Sequence, residues 1–213
     1  MINAIDFIKT LPSLNPKYIT KERSQNTVAI LGSSKNTEAI DKYLRASSDI
    51  TRHFIENGFN IVHGCGTKGI MGEVYNSAQK YSIKDSFGKP IQNLAIVVEP
   101  LWGDENLVDC IPIGKANSEA ERIAKFAKVA DSFVIFPGSA GTLQETTTLI
   151  QNNHYLKEGE AKKVILFGSE FWEGLVSQYK KLFDMKLLKE NPIGKLFDVV
   201  NSKEELFKLI AKK

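Results

Sequence analysis

Short, almost wholly apolar runs alternate along this chain with longer segments whose apolar residues recur at helical spacing. Val28-Ala29-Ile30-Leu31 is the first such run and ends at Gly32. The segment from Thr37 to Asn57 follows, with Ile40, Tyr43, Leu44, Ile50 and Phe54 on one face and Gly58 as a stop, which predicts a helix. Asn60 to His63, Leu94 to Val98, Ser132 to Phe136 and Lys163 to Phe167 read as further strands, with a last one at Phe197 to Val200. Helices are predicted over Met71 to Tyr81, Ser118 to Ala130, Gly141 to Asn153, Phe171 to Phe183 and Ser202 to Ala211. A strand with one wet face would alternate polar and apolar residues, so these uniformly apolar strands belong to a parallel sheet covered on both faces. The expected fold is α/β: a doubly wound, Rossmann-like parallel sheet sandwiched by helices, forming one domain over residues 27–213, with residues 1–26 as an N-terminal arm that includes a short helix.

In such sheets ligands bind at the carboxyl ends of the strands, and the glycine-rich segments fall at predicted strand ends. They are Gly32-Ser33-Ser34, then Gly64-Cys65-Gly66-Thr67-Lys68-Gly69, then Pro137-Gly138-Ser139-Ala140-Gly141-Thr142. The second fits GxGxxG but lacks an acidic residue closing a next strand at dinucleotide-binding distance, so a tight turn explains it as well as a ligand does. The third follows an apolar strand and opens a helix, where backbone amides and the helix dipole favour an anion. Thr142-x-x-Glu145 is also a capping box, in which Thr142 caps the helix and Glu145 reaches back to the cap amide. Both readings suit Thr142, but they compete for the side chain of Glu145. Arg122, between Glu119, Glu121 and Lys125, reads on its own as a solvated surface arginine.

Composition narrows the classes. The 213 residues, 42% hydrophobic and 25% charged, suit one soluble domain. A net charge of +3 with scattered basic residues gives no stripe for nucleic acid, and no apolar stretch approaches membrane-spanning length. Cys65 and Cys110 form no CxxC, and His53, His63 and His154 show no HxxxH or HExxH spacing, so no metal is expected. The N-terminus MINAIDFIKTLPSLNP lacks the pattern of a secretory signal, and a cytoplasmic location is expected.

Taken as a set, these segments resemble the LOG ("Lonely Guy") family of nucleoside 5′-monophosphate phosphoribohydrolases, often labelled lysine decarboxylase-like. The family's PGGxGTxxE stands here as Pro137 to Glu145, with Ser139 at the second glycine. Glu121-Arg122 matches the arginine fifteen residues before that proline, with Ile123 where a lysine commonly follows. Gly32-Ser33-Ser34 matches the GSS turn, and Gly64 to Gly72 matches GGGxxGLMG with Cys65 at its central glycine.

The resemblance implies hydrolysis of the N-glycosidic bond of AMP or an N6-substituted, cytokinin-type AMP, to free base and ribose 5-phosphate, with no cofactor. By resemblance, Arg122 and Glu145 would be catalytic. Gly138, Ser139, Ala140, Gly141 and Thr142 would hold the phosphate. Gly32, Ser33 and Gly66 would shape the wall, and Glu105 would be a weaker candidate for base contact. With Arg122 at the family distance, Glu145 is assigned to the site over the cap. The same fold and a similar loop occur in molybdenum-cofactor carrier proteins, which makes a non-catalytic phosphate-ligand carrier the alternative. No motif supplies a pyridoxal-phosphate lysine context, which argues against decarboxylation. A homodimer is the expected assembly.

Overall fold

The computed structural model describes residue 13 and residues 26–88, 90–98, 111–156 and 159–210. Glu105, Cys110 and all but two residues of the expected N-terminal arm lie outside them.

Among the described residues, seven strands and six helices follow one another in the order β1 (Thr27–Leu31), α1 (Glu38–Glu56), β2 (Asn60–His63), α2 (Gly69–Tyr81), β3 (Asn93–Val98), β4 (Ile111–Ala116), α3 (Glu119–Val129), β5 (Ser132–Ile135), α4 (Ala140–Tyr155), β6 (Lys163–Phe167), α5 (Ser169–Asp184), β7 (Asp198–Val200) and α6 (Lys203–Leu209). All strand pairs are parallel, and the sheet order is β4-β3-β2-β1-β5-β6-β7. This is the expected doubly wound, Rossmann-like α/β architecture.

The uniformly apolar strands have the predicted cause. Along β1, Val28 and Ile30 face one core and Ala29 and Leu31 the other; along β5, Val134 and then Phe133 and Ile135 divide the same way. The first core is closed by Ile40, Ile50 and Phe54 of α1, Ile70 and Val74 of α2, and Leu206 of α6. The second is closed by Ile123 and Phe126 of α3, Leu149 and Ile150 of α4, and Trp172 of α5. Each large side chain buried this way stabilises the fold by about 1.5–3 kcal/mol.

Strand β4 is an addition to the six strands expected. Its sequence contains Pro112 and Gly114, which both argue against a strand. The sheet accepts them because β4 is an edge, and the pairing register with β3 jumps between Ala95, opposite Pro112, and Ile96, opposite Gly114.

Ile123, at the position where a lysine is common, is 1% exposed and packs into the second core. Its side chain therefore belongs to the helix–sheet interface, and its identity adds or removes no charge on the open side of α3. Ile123→Lys is expected to destabilise the fold by roughly 3–5 kcal/mol through an unpaired buried charge, as read by urea unfolding.

Candidate functional site

The strand order reverses between β1 and β5, so the connections leaving these two strands run to opposite faces and part above the sheet. The first and third glycine segments meet there. The Ser33 amide, just past β1, donates to the Pro137 carbonyl, just past β5, at 3.1 Å. The Ser33 carbonyl accepts from the Met71 amide at 3.1 Å, which ties in the start of α2. The Ser33 hydroxyl is turned into its own loop, bonding the Lys35 backbone at 3.0 and 3.1 Å. Gly66 is buried beside Met71 and Ser34. Gly32, Ser33, Gly66 and Gly138 are thereby gathered at one place by three separate strand ends.

Helix α4 begins earlier than the sequence pattern suggests, at Ala140, with Ser139 as its N-cap residue. The Ser139 hydroxyl makes no capping hydrogen bond. Thr142 therefore lies within the first turn instead of at the cap, and the competing capping box between Thr142 and Glu145 does not form. The helix opens with Ser139, Ala140 and Gly141 exposed, and the first amides of any α-helix lack intrahelical partners. Gly138 admits no side chain: a Cβ there would lie 2.2 Å from Thr142 Oγ1 and 3.0 Å from the Ser33 amide nitrogen.

Freed from the cap, Glu145 turns toward α3. Its Oε1 lies 3.8 Å from Arg122 Nη2, with 9% of the carboxylate side chain and 12% of the arginine side chain exposed. Arg122 is thus not the solvated surface residue that its charged neighbours suggest. It is held by Glu119 one turn earlier, at 2.8 Å, stacks 5.9 Å from the Phe126 ring, and keeps Nε buried without a hydrogen-bond partner among the described residues. Burial raises the Glu145 carboxyl to about 7, against the opposing pull of the Arg122 charge and with a further push from Glu119. A carboxyl in that range exchanges protons at neutral pH.

The second glycine segment supports the arginine. A Cβ on Gly64 would come within 2.7 Å of Arg122 Nη1, so a side chain there would push the guanidinium from this position. The loop is set by His63, a residue with no assigned partner in the sequence. His63 Nδ1 accepts from the Cys65 amide at 2.9 Å, which leaves Nε2 to donate to Asn93 Oδ1 at 2.6 Å. Burial lowers the His63 pKa to about 4, so it stays neutral. Cys65, at φ 65°, occupies the left-handed region usually left to glycine. The roles of His63, Asn93 and Glu119 were hidden in the sequence, because their partners lie on other strands or depend on which way a helix face turns.

A cavity of about 370 Å³ lies at the opposite end of the sheet, beside Lys162, Lys163, Lys195 and Asp198. Three of its four lysines are committed: Lys162 to the carbonyls of Ala127 and Ala130, Lys163 to Asp198, and Lys195 to Glu190. The crevice has the stronger claim, because it combines an open helix start with an ionisable carboxyl and a partly uncommitted arginine. Among the described residues no group of three or more His, Cys, Asp or Glu could hold a metal ion, and no helix is long and apolar enough to cross a membrane.

Comparison with known proteins bears on the family and the fold. A family model described as possible lysine decarboxylase matches residues 93–210, more than half of the chain. The cytokinin riboside 5′-monophosphate phosphoribohydrolase LOG of Oryza sativa subsp. japonica is 28% identical over 133 residues, 61% of this chain and 50% of that protein. The phosphoribohydrolase LOG7 of Arabidopsis thaliana is 27% identical over 132 residues, 62% of this chain and 56% of that protein. The matched part of the chain thus spans only about half the length of these relatives. Among solved structures, the molybdenum cofactor binding protein of Rippkaea orientalis superposes with a TM-score of 0.55 at 18% identity, covering 86% of this chain and 93% of that one, a likeness of fold. With the family match and these relatives together, the chain is a divergent member of the LOG-type family of possible lysine decarboxylases.

Proposed function

We propose that the protein is a nucleotide N-glycosidase that cleaves AMP, or an N6-substituted AMP, to the free base and ribose 5-phosphate. The observation that carries this reading is Glu145: a buried carboxyl held near neutrality, little more than one turn inside an uncapped helix start and facing Arg122. Phosphate would sit on the amides of Gly138 to Thr142, where the helix dipole favours an anion. That places the ribose toward Glu145 and Arg122. Cleavage develops positive charge on the sugar, which a carboxylate stabilises. The ionised Glu145 takes a proton from water as the water oxygen bonds to the anomeric carbon. The carbon–nitrogen bonding pair leaves with the base, and the proton ends on the base nitrogen. The exposed edge of the Arg122 guanidinium would orient ribose or base oxygen and nitrogen acceptors. The names of the phosphoribohydrolase relatives support the substrate class.

The second reading is a carrier that uses the same phosphate cradle without hydrolysis, a role suggested by the name of the structural neighbour. A carrier has no need of a buried carboxyl near neutrality, whose retention costs stability, and this favours the glycosidase. Purified protein incubated with AMP should release adenine; bound but intact AMP would favour the carrier.

Glu145→Gln and Arg122→Ala are each expected to lower kcat/KM for adenine release by about 100-fold or more while leaving the circular dichroism spectrum unchanged. Normal turnover in both would refute the assignment. For the parent protein, kcat/KM should rise with pH through a midpoint near 7 as Glu145 ionises.

The same carboxyl makes a prediction about stability. Folded Glu145 holds its proton up to about 7, whereas the unfolded chain releases it near the ordinary value of 4.5. Stability therefore falls as pH rises through that window, and the full cost is present above it. Glu145→Gln should be more stable than the parent at about pH 8, by on the order of 2 kcal/mol, and the gain should vanish below about pH 4.5. Urea unfolding at the two pH values measures both.

A further inference from the structure

Arg122 is shared unequally. Its Nη2 lies 2.8 Å from Glu119 Oε2 but 3.8 Å from Glu145 Oε1, so one guanidinium nitrogen faces two carboxylates and makes a close ion pair with only one. The unequal sharing follows from chain geometry. Glu119 precedes Arg122 by three residues on α3, where side chains at that spacing meet on one face of the helix. Glu145 approaches from α4. Gly64 bounds the guanidinium from a third direction: a Cβ added there would lie 2.7 Å from Nη1.

We propose that Glu119 is a positioning residue, holding the Arg122 guanidinium on the α3 side of the crevice so that Glu145 has no close cationic partner and acts as the stronger base. Its catalytic meaning rests on the N-glycosidase reading. A carboxylate in a close bidentate pair with arginine is a poor proton acceptor, because protonation would cost it the pair. One that is buried but only loosely paired keeps its affinity for a proton. The charges acting on Glu145 are Arg122, which lowers that affinity, and Glu119, which raises it. On α4 itself no other ionisable side chain precedes His154. From the turns after β1 and β2, Lys35 and Lys68 are exposed, and Cys65 is a buried thiol. His63 behind them is neutral. The residue best placed to move Arg122 is therefore Glu119. It is about one-third exposed and at the first position of its helix, where replacement costs little packing.

The experiment compares the parent with Glu119→Gln, Glu119→Ala and Glu119→Asp. The Glu145 carboxyl is titrated by its infrared band in the absence of nucleotide, the band being assigned by its loss in Glu145→Gln. The pH profile of adenine release is measured in parallel. Removing Glu119 lets Arg122 close on Glu145 and deletes a nearby negative charge. In Glu119→Gln and Glu119→Ala the carboxyl midpoint should accordingly move to lower pH by about one unit or more. The rising limb of kcat/KM should move with it, and Glu119→Asp should restore part of the shift. A midpoint that stays put or rises in both Glu119→Gln and Glu119→Ala, even with lowered thermal stability, would reduce Glu119 to a helix-terminus residue and overturn the proposal. A midpoint that falls in a protein that releases no base from any nucleotide would leave the positioning intact and remove only the glycosidase reading.

Discussion

Reversal of strand order between β1 and β5 is the constraint from which the rest of the site follows. A parallel sheet wound in both directions must send the chain to one face after β1 and to the other after β5. The two departing loops then have backbone polar groups and no strand partner. Here they satisfy one another through the Ser33 amide and the Pro137 carbonyl. That contact brings Gly138 so close to Ser33 and Thr142 that no side chain fits. It also fixes where α4 starts, and hence which way Glu145 points.

The second determinant is where charge is allowed below the surface. Glu145 and Arg122 lie against α3, α4 and a glycine loop with little solvent, an arrangement that would be costly for isolated ions. The cost is divided: Arg122 leans on a partly exposed Glu119, and Glu145 responds by keeping its proton to about neutral pH. An unstable local arrangement of this kind survives because two large cores hold the surrounding helices. The neutral His63, linking Asn93 to the Cys65 amide, does similar work for the loop beneath the arginine. It replaces a solvated turn with a fixed one and keeps Gly64 pressed against the guanidinium.

The sequence by itself determined the architecture. Strands buried on both faces must be apolar throughout, and helices covering a sheet must carry an apolar stripe, so alternation and period expose both before any contact is known. The exception was β4, whose Pro112 and Gly114 disguise a strand that only its position at the sheet edge permits. The three glycine segments and the spacing from Arg122 to Pro137 were likewise legible as a set. Only the tertiary structure decided what the charged residues do. The same four residues from Thr142 to Glu145 can cap a helix or carry a free carboxyl, and the choice depends on the helix starting at Ala140, a consequence of the packing of Gly138. Arg122 could be a surface residue or a buried partner, depending on which face of α3 meets α4. Glu119 had no visible role until its distance to Arg122 could be set against that of Glu145. Local sequence encodes period and propensity, whereas burial and the sharing of one cation between two carboxylates arise between elements distant in the chain.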